Sequence, residues 1–494
     1  MYGEEKSDSL IVAANLANNP QGAESVERRS GAKGNAEQPH MRRTQSRESM
    51  SQRLSRVREA AKQRKKERFT ALFHLLTAEA LENAFLSLSR KAAAGVDGVR
   101  WKDYAENLKV NIADLHRRLH QGSYRAQPGR RHYIPKADGK QCPLGIASLE
   151  DKIVQYALVK ILNAVYENDF MGFSYGFRPG RSQHNALDAL ATGLVRTNVN
   201  WVLDADISQF FDKVSHEWLI RFIEHRIGDQ RVIRLIRKWL TAGTSEEGEW
   251  RASEEGTPQG AVISPLLANI YLHYVFDLWA HQWRRRHATG NVVMVRYADD
   301  IVIGFDKRID AQCFRIAMQR RLKEFGLTVH PKKTRLMEFG RFAAENRASR
   351  GKGKPETFNF LGFTHISGKD RSGRFMLIRK TRRDRMTATL KAIKDGLRKR
   401  WHYSIPEQGK WLRRVVQGYL NYHSVPGNYP MMRKFRIYVT DLWRRALRRR
   451  SQQDDTTWTK ANRLAAVWLP KVRVLHPWPV ERFTARHPRQ EPGA

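Results

Sequence analysis

The amino-acid sequence predicts an α+β fold, in which β-hairpins and helices alternate before helices alone follow. Two short runs rich in β-branched residues, at positions 292–295 and 301–305, predict the strands of a hairpin. After about Leu377 the strand signals stop, and apolar residues recur at spacings of three and four, as in amphipathic helices. These patterns predict a mixed domain followed by a helical bundle.

The predicted hairpin carries two adjacent acids, Asp299 and Asp300, at its tip. Adjacent carboxylates repel each other, and apolar flanks raise the cost of keeping both ionised. A divalent cation would remove that cost, because Mg²⁺ prefers hard carboxylate oxygens and keeps open positions for phosphate. An Asp-Asp turn at the end of a solvated hairpin is the plainer interpretation, so other segments decide between the two.

Charge points to the class of partner. Lys and Arg number 89 against 50 Asp and Glu, which gives a formal net charge of +39 over 494 residues. Such an excess favours nucleic acid first and a membrane surface second. No apolar run approaches the roughly 18 residues that span a bilayer, and no secretory signal opens the sequence, so we expect a cytoplasmic protein without a membrane partner. The two cysteines predict neither a disulfide framework nor a zinc site.

The N-terminal residues differ in character on either side of position 48. Residues 1–48 are polar and lack apolar periodicity, which predicts a disordered extension. Residues 49–76 show helical spacing, with Leu54, Val57 and Ala61 on one face and many Lys and Arg residues elsewhere. A basic helix of this kind could follow a nucleic-acid backbone or form a solvated face, and the net charge favours the first.

Two later segments predict contacts with nucleotides or nucleic acid. Residues 130–146 predict a basic hairpin from which Lys136 could reach a triphosphate, with an ordinary charged hairpin as the alternative. The loop at 173–181 combines rings and guanidinium groups, including Tyr175 and Arg178. That composition suits a loop that holds a strand of nucleic acid.

A third acid joins the pair at the hairpin tip if two predicted strands are neighbours. Residues 201–207 predict a buried strand that reaches Asp206, and Ser215 can cap the helix that follows. In one sheet, Asp206, Asp299 and Asp300 would converge and could hold two Mg²⁺ ions. Such ions would activate a primer 3′-hydroxyl and stabilise leaving pyrophosphate. The main-chain carbonyl of Ile207 is an additional candidate ligand.

Three further residues are candidate contacts for the incoming nucleotide. Phe211, five residues beyond Asp206, would lie beneath the sugar, where its ring leaves little room for a 2′-hydroxyl. The expected substrate is therefore a dNTP. Gln259, in a Gly/Pro-rich loop at 255–260, could touch the nucleotide from the opposite side. Lys333 could neutralise charge on the phosphates or donate a proton to the leaving pyrophosphate.

The C-terminal region predicts a three-helix basic bundle. Apolar residues step along one face of each predicted helix, for example Ile393, Val415 and Val439, and Lys and Arg cover the opposite faces. The cations are densest at 444–450, so the candidate RNA contacts are Arg444, Arg445, Arg448 and Arg449. Residues 451–494 contain one short helical pattern and a Pro/Arg/Trp segment that pattern alone does not assign.

Taken together, these segments resemble the successive blocks of a group II intron-encoded reverse transcriptase/maturase. Its catalytic blocks resemble Asp204-Ala205-Asp206-Ile207 with residues 210–212, the segment at 256–271, and Arg296-Tyr297-Ala298-Asp299-Asp300. Residues 333–334 and 360–363 resemble the closing blocks, and residues 418–428 are similar to the maturase part of the thumb. The resemblance runs from about position 42 to 483, and ordered blocks at this spacing are far more specific than one motif.

The resemblance implies a right-hand polymerase. Residues 49–200 would form a basic N-terminal helix and the fingers, 201–376 the palm, interleaved with the fingers, and 377–450 the helical thumb/maturase domain. It also implies RNA-templated synthesis of DNA from template RNA, primer DNA and dNTPs. The remaining implied partners are group II intron RNA, whose splicing the protein would assist, and the target DNA. Residues 451–494 contain no cluster resembling a nuclease, so a nascent strand or intron RNA attack would supply the primer.

The sequence departs from the family pattern at Cys142, where related fingers hairpins usually carry an Arg that contacts the triphosphate. A cysteine cannot supply a fixed bidentate cation, although Lys136 is present and Lys140 could compensate. We therefore expect Cys142→Arg to lower the apparent Michaelis constant for dNTPs in primer extension. An unchanged constant would show that the chain does not need this cation.

Two other functions fit the same sequence. A binding-only splicing cofactor with an impaired polymerase would bind intron RNA with strong salt dependence and support splicing without synthesis. A domesticated or defence-associated reverse transcriptase would use the same fold without an intron. The maturase-like thumb argues against this last function, and flanking DNA that encodes a catalytic intron RNA would exclude it.

Overall fold

The computed structural model describes residues 49–135, 141–246, 249–252, 254–450 and 456–486. It confirms the predicted α+β class, with largely antiparallel sheets. The predictions for residues 1–48, Lys136 and Lys140 lie outside the described residues, as does the side chain of Cys142. Across the described ranges, no helix is both long enough and apolar enough to cross a membrane.

The N-terminal region is mainly helical and begins with the predicted basic helix. Its helices are α1 (Met50–Gln63), α2 (Ala78–Ser87), α3 (Trp101–Glu106), α4 (Leu108–Gln121), α5 (Leu149–Tyr166) and α6 (Gln183–Arg196). Ser49 begins α1 through a capping box with Gln52, and Ala61 on the predicted apolar face is buried. Arg226 fastens the end of α1, because its guanidinium bonds the carbonyl of Ala61 and pairs with Asp169 at 2.8 Å.

The predicted basic hairpin is present and belongs to a four-stranded sheet. Its strands, β1 (Gly129–Pro135) and β2 (Gln141–Ile146), are antiparallel and pair Ile134 with Cys142. A second hairpin, β4 (Thr244–Glu246) and β5 (Glu249–Arg251), extends this sheet through a parallel pairing of β1 with β4. The parallel pair joins segments more than 100 positions apart, which no local pattern could indicate.

The central sheet has the strand order β6-β7-β3-β8, and its strand pairs are antiparallel. Its strands are β3 (Trp201–Asp206), β6 (Val292–Tyr297), β7 (Asp300–Phe305) and β8 (Arg335–Glu338). Leu203 and Ile303 pack on one face against a large core of helical residues, and Val202 and Val302 pack on the other face against a second core. Because side chains alternate along a strand, Asp204, Asp206 and Asp300 belong to the face of the second core.

Helices cover the first face of the central sheet. These are α7 (His216–Glu224), α8 (Gln230–Thr241), α9 (Ser264–Leu272), α10 (Leu278–Arg286) and α11 (Arg308–Glu324). Ser215 begins α7 as predicted, since its side chain accepts a hydrogen bond from the Trp218 amide. A five-residue π-helical turn, His273–Asp277, joins α9 to α10. The helical run that begins at Ser264 therefore continues through this bulge to Arg286.

A third sheet and α6 cover the second face. The strands β9 (Phe358–Phe360), β10 (Phe363–Lys369) and β11 (Phe375–Thr381) form it in the order β11-β10-β9, with α12 (Ala343–Ala348) before them. Phe358, Phe360 and Phe363 are buried in the second core beside Leu187 and Leu190 of α6. Residues 360–363, which resemble a closing block of the family, therefore form the tight connection between β9 and β10.

The three predicted C-terminal helices are present, and a fourth packs on them. They are α13 (Arg383–Lys399), α14 (Ile405–His423), α15 (Tyr429–Arg448) and α16 (Trp458–Trp468). Leu412, Phe435 and Trp443 are buried in their shared core, and the Trp443 indole donates to Gln408 at 2.9 Å. Apolar periodicity thus identified the buried faces correctly.

The last described segment returns to the second core, which the sequence did not indicate. The Leu475 amide donates to the Ser424 carbonyl at 2.9 Å, and the His476 ring stacks on His184 at 4.0 Å between centroids. Helix α17 (Pro479–Arg486) then buries Phe483 in the second core. Residues 475–486, which we call the C-terminal strap, therefore connect the helical bundle to α6.

Candidate active site

The central sheet brings the three predicted carboxylates to one end. Asp206 on β3 lies directly opposite Asp300 on β7 in the strand register. Tyr297 pairs with Asp300 across the hairpin, which leaves Ala298 and Asp299 as its two-residue turn. The strands that carry Asp206 and Asp300 are therefore neighbours in one sheet, as the sequence predicted.

The carboxylates lie where protein atoms limit their hydration and where they repel one another. Burial, reinforced by the charges of Asp299 and Asp206, raises the pKa of Asp300 to about 6. Asp300 is partly exposed, and the charges of Asp299 and Asp206 disfavour its ionised form in addition to burial. The pKa of Asp299 is also raised, first by burial and then by Asp206. This end of the sheet is thus short of positive charge.

Asp204 is a fourth acid at this end of the sheet, and sequence reasoning gave it no role. It lies two residues before Asp206 on the same face of β3. Burial raises the pKa of Asp204 to about 7, Arg335 opposes that shift, and Asp300 and Asp206 add to it. The period of two along β3 was the signal that could have identified it.

Lys333 supplies a cation to the cluster. Its Nζ lies 2.8 Å from Oδ2 of Asp206, and this hydrogen bond raises the pKa of Lys333. The segment before it is fixed against β3, because the His330 amide donates to the Asp206 carbonyl at 2.7 Å. The structure therefore places Lys333 on a carboxylate, whereas the sequence suggested contacts with nucleotide phosphates.

Ile207 lies between main-chain bonds that fix the end of β3. The Asp206 carbonyl and the Ser208 amide bond the segment at 328–330, and Ile207 forms an isolated bridge with Val329. The Ile207 residue is buried in the large core. Only its main-chain carbonyl could therefore serve as the predicted ligand.

The two predicted nucleotide contacts Phe211 and Gln259 lie on adjoining loops. The Thr257 amide donates to the Phe211 carbonyl at 2.7 Å, and the Gln259 side chain donates to Asp212 at 2.6 Å. Gly256 has a φ of +85°, and a Cβ there would crowd the Phe211 carbonyl, so glycine permits this approach. The Gln259 carbonyl also accepts from the Gly145 amide at 2.7 Å, which joins the loop to strand β2.

The donor set suits Mg²⁺, although the side chains are not yet arranged around an ion. The carboxylate oxygens of Asp206, Asp299 and Asp300 are the ligands that Mg²⁺ prefers. In the part of the chain that the structure describes, no three Asp, Glu, His or Cys side chains stand close enough to hold a metal as they are. A metal ion on Asp206 would compete with the Lys333 ammonium group for Oδ2.

The prediction that the loop at 173–181 holds nucleic acid is wrong for Tyr175 and Arg178. Arg178 is buried and bonds Glu167 at 2.9 Å and the Ser174 carbonyl at 2.8 Å. Tyr175 is also buried, and its amide donates to the Arg296 carbonyl at 2.8 Å. Composition suggested a binding loop, but these groups satisfy internal carboxylate and carbonyl oxygens instead.

The four candidate arginines of α15 and its C-terminal end differ in accessibility. Arg445, Arg448 and Arg449 are exposed, whereas only 16% of the Arg444 side chain is exposed. Arg444 bonds Asp441 at 3.0 Å and lies over the Trp458 ring at 4.9 Å. Its cation therefore helps to hold α16 on α15, and it is the weakest of the four candidates for an RNA contact.

Comparison with known proteins bears on the same region. Residues 134–365 match the family described as "Reverse transcriptase (RNA-dependent DNA polymerase)". The chain is 43% identical over 206 residues to protein YkfC of Escherichia coli (strain K12), which covers 41% of this chain and 54% of that protein. It is 37% identical over 223 residues to the group II intron-encoded protein LtrA of Lactococcus lactis subsp. cremoris, with coverage of 44% and 37%.

A third relative comes from a plant. The chain is 29% identical over 110 residues to nuclear intron maturase 2, mitochondrial, of Arabidopsis thaliana, with coverage of 22% of this chain and 15% of that protein. The chain thus spans about half the length, or less, of these relatives. The carboxylates at 206, 299 and 300 all lie inside the matched family region.

Proposed function

We propose that the chain is an RNA-directed DNA polymerase, because residues 134–365 match the reverse transcriptase family and the chain is similar to a group II intron-encoded protein. It would copy intron RNA into DNA and bind that RNA to assist splicing and mobility. The observation that carries the proposal is the register of Asp206 opposite Asp300, with Asp299 in the adjoining turn. That arrangement collects carboxylates on neighbouring strands in the matched region.

The site residues divide the work of primer extension among them. Two Mg²⁺ ions on the three carboxylates would activate the primer 3′-hydroxyl and stabilise the charge that develops on pyrophosphate. Lys333, which stands 2.8 Å from Asp206, would move its charge toward the phosphates when the carboxylate is occupied. Phe211 and Gln259 would both contact the nucleotide, since main-chain and side-chain hydrogen bonds hold their loops together. Lys136 remains a proposed contact for the triphosphate of the incoming nucleotide.

The architecture would then follow a right hand. The N-terminal helices and the β1–β2 sheet would be fingers, the central sheet palm, and α13–α15 the thumb/maturase domain. The exposed Arg445, Arg448 and Arg449 offer cations to a phosphate backbone. Template RNA, primer DNA, dNTPs, intron RNA and target DNA are the proposed partners, with the cytoplasm as the proposed location.

Primer extension tests the catalytic part of this proposal. Purified protein, an RNA template with an annealed DNA primer, dNTPs and Mg²⁺ should yield extended DNA, with a heat-inactivated sample as control. A protein that binds intron RNA and promotes its splicing without any extension would overturn the polymerase and favour the binding-only cofactor. Extension without any gain in splicing of an intron RNA that flanks the coding sequence would favour the intron-free reverse transcriptase.

We expect the ring of Phe211 to make the enzyme select dNTPs over rNTPs. The Phe211 ring packs edge-on against the ring of the buried Phe210, with 5.3 Å between the ring centroids, and this contact fixes its position. We expect Phe211→Ala to raise the incorporation of rNTPs relative to dNTPs by about tenfold or more, because a pocket that gains space accepts an extra group. Single-nucleotide extension with matched rNTP and dNTP measures the ratio. Phe342→Ala, at an exposed ring in the connection after β8, is the control, and an unchanged ratio in Phe211→Ala would contradict the assignment.

A further inference from the structure

A fully buried arginine lies two residues before the catalytic turn and bonds to it. The Arg296 guanidinium donates to both carboxylate oxygens of Asp277, at 2.7 and 2.6 Å, and both side chains have no exposed surface. Its remaining donors reach the Ala298 carbonyl at 3.0 Å, Asn269 Oδ1 at 3.2 Å and Ser174 Oγ at 2.7 Å. One side chain therefore links the turn to the helical run that carries Asn269 and Asp277 and to the loop that carries Ser174.

The partner of Arg296 comes from an irregular part of its helix. Asp277 ends the π-helical turn His273–Asp277 between α9 and α10. Turns of this kind widen a helix locally, and they occur often at functional sites. Asn269, on the preceding helical segment, also donates to the Gly176 carbonyl at 2.7 Å. The irregular helix thus presents two side chains to the same guanidinium.

The turn itself adopts a conformation that needs support. Ala298 has a φ of +56°, a left-handed value that residues with a Cβ rarely adopt. Gly176 packs so closely that a Cβ at this position would overlap the Ala298 amide nitrogen. Asp299 and Asp300 repel each other at the tip and would gain by moving apart. The bond from Arg296 to the Ala298 carbonyl opposes that movement.

We propose that the Arg296–Asp277 pair is the positioning device of the catalytic turn, which it holds so that Asp299 and Asp300 face Asp206. The inference rests on the proposed polymerase function. A bidentate guanidinium–carboxylate pair fixes orientation as well as distance, which lysine cannot reproduce. Misplacement of a catalytic group by about 1 Å can reduce a rate by about 100-fold, so a small rotation of the turn would be costly.

Arg296→Lys tests the proposal, and a second buried pair in the chain provides a matched control. Arg226 pairs with Asp169 at 2.8 Å and bonds three carbonyl groups near α1, away from the carboxylate cluster. Arg226→Lys should therefore lower the melting temperature as Arg296→Lys does. Only Arg296→Lys should raise the dissociation constant for Mn²⁺, measured by electron paramagnetic resonance, and the Mg²⁺ half-saturation of extension, each by about tenfold. The Michaelis constant for dNTPs should change much less than the maximal rate.

Amide hydrogen exchange measures how firmly the turn is held, and it requires neither metal nor substrate. The amides of residues 298–300 should exchange faster in Arg296→Lys and at the wild-type rate in Arg226→Lys. Failure of the wild-type protein to extend primers would refute the proposed function, while this exchange result would still test the positioning role. If Arg296→Lys does not fold, Ser174→Ala removes one bond from the guanidinium and should show the same effects on a smaller scale. Unchanged exchange and metal affinity in a folded variant would overturn the proposal.

Discussion

Replacing Asp300 with asparagine is expected to abolish primer extension and to raise the melting temperature of the metal-free protein. The pKa of Asp300 lies at about 6 in the folded chain, above the ordinary 3.8, because of burial and then the charges of Asp299 and Asp206. The folded state therefore binds this proton more tightly than the unfolded state, and the ionised carboxylate opposes folding above about pH 6. A neutral amide of the same shape removes that opposition and one oxygen ligand.

Opposite changes in activity and stability make the result hard to explain by misfolding. Extension should fall at least about a thousandfold, in the range seen when a member of a catalytic group is removed. Thermal unfolding in EDTA at pH 7.5 measures the stability. Asp306→Asn, just beyond the other end of β7, is the control and should retain extension, since its carboxylate accepts a bond from Asn200 at that end of the strand. Wild-type extension by Asp300→Asn would refute the catalytic assignment, and a lower melting temperature would refute the electrostatic account.

The features that the sequence could predict are those with a local signal. Runs of β-branched residues marked β6 and β7, and periodic apolar residues marked α13, α14 and α15. The meeting of Asp206 with Asp300 was predictable because both strands are apolar and because an acid ends β3 and another begins β7. The internal role of Arg178 was not predictable, since its partner Glu167 carries no mark that distinguishes it from a surface acid.

The other contacts that the sequence did not predict join residues that are far apart in the chain. Asp277 lies 19 positions before Arg296, and only the π-helical turn directs it toward the hairpin. The C-terminal strap returns to Asp188 from 294 positions away, through a segment rich in proline and arginine with no periodic pattern. The sequence showed a Pro/Arg/Trp segment there, whereas the contacts of this segment depend on where the bundle ends in space. Local patterns thus predict elements and leave their buried charge pairs undetermined.

The second large effect, on stability, is expected at Asp188, the acid that Arg482 of the strap contacts. Asp188 on α6 is buried and accepts a hydrogen bond from Arg482 of the strap, and Arg379 of β11 approaches it at 3.7 Å. Burial raises the pKa of Asp188, while Arg482 and Arg379 oppose that shift. The Arg379 side chain is almost fully buried beside the buried His365. One carboxylate thus serves two guanidinium groups that have little access to water.

Asp188→Ala is therefore expected to destabilise the protein by about 3–5 kcal/mol, the usual cost of breaking a buried ion pair from one side. The strap should also detach, so that trypsin cleaves after Arg482, whose side chain is only 17% exposed in the folded protein, at a rate well above that of the wild type. Asp384→Ala is the matched control, because Asp384 pairs with Arg382 at 2.7 Å with half of its side chain exposed and should cost at most about 1 kcal/mol. Urea unfolding and timed proteolysis measure both effects. If Asp188→Ala lost no more stability than Asp384→Ala and kept the strap protected, the Asp188 ion pairs would not be what holds the strap on α6. Its other contacts, such as Phe483 in the second core, would then hold it.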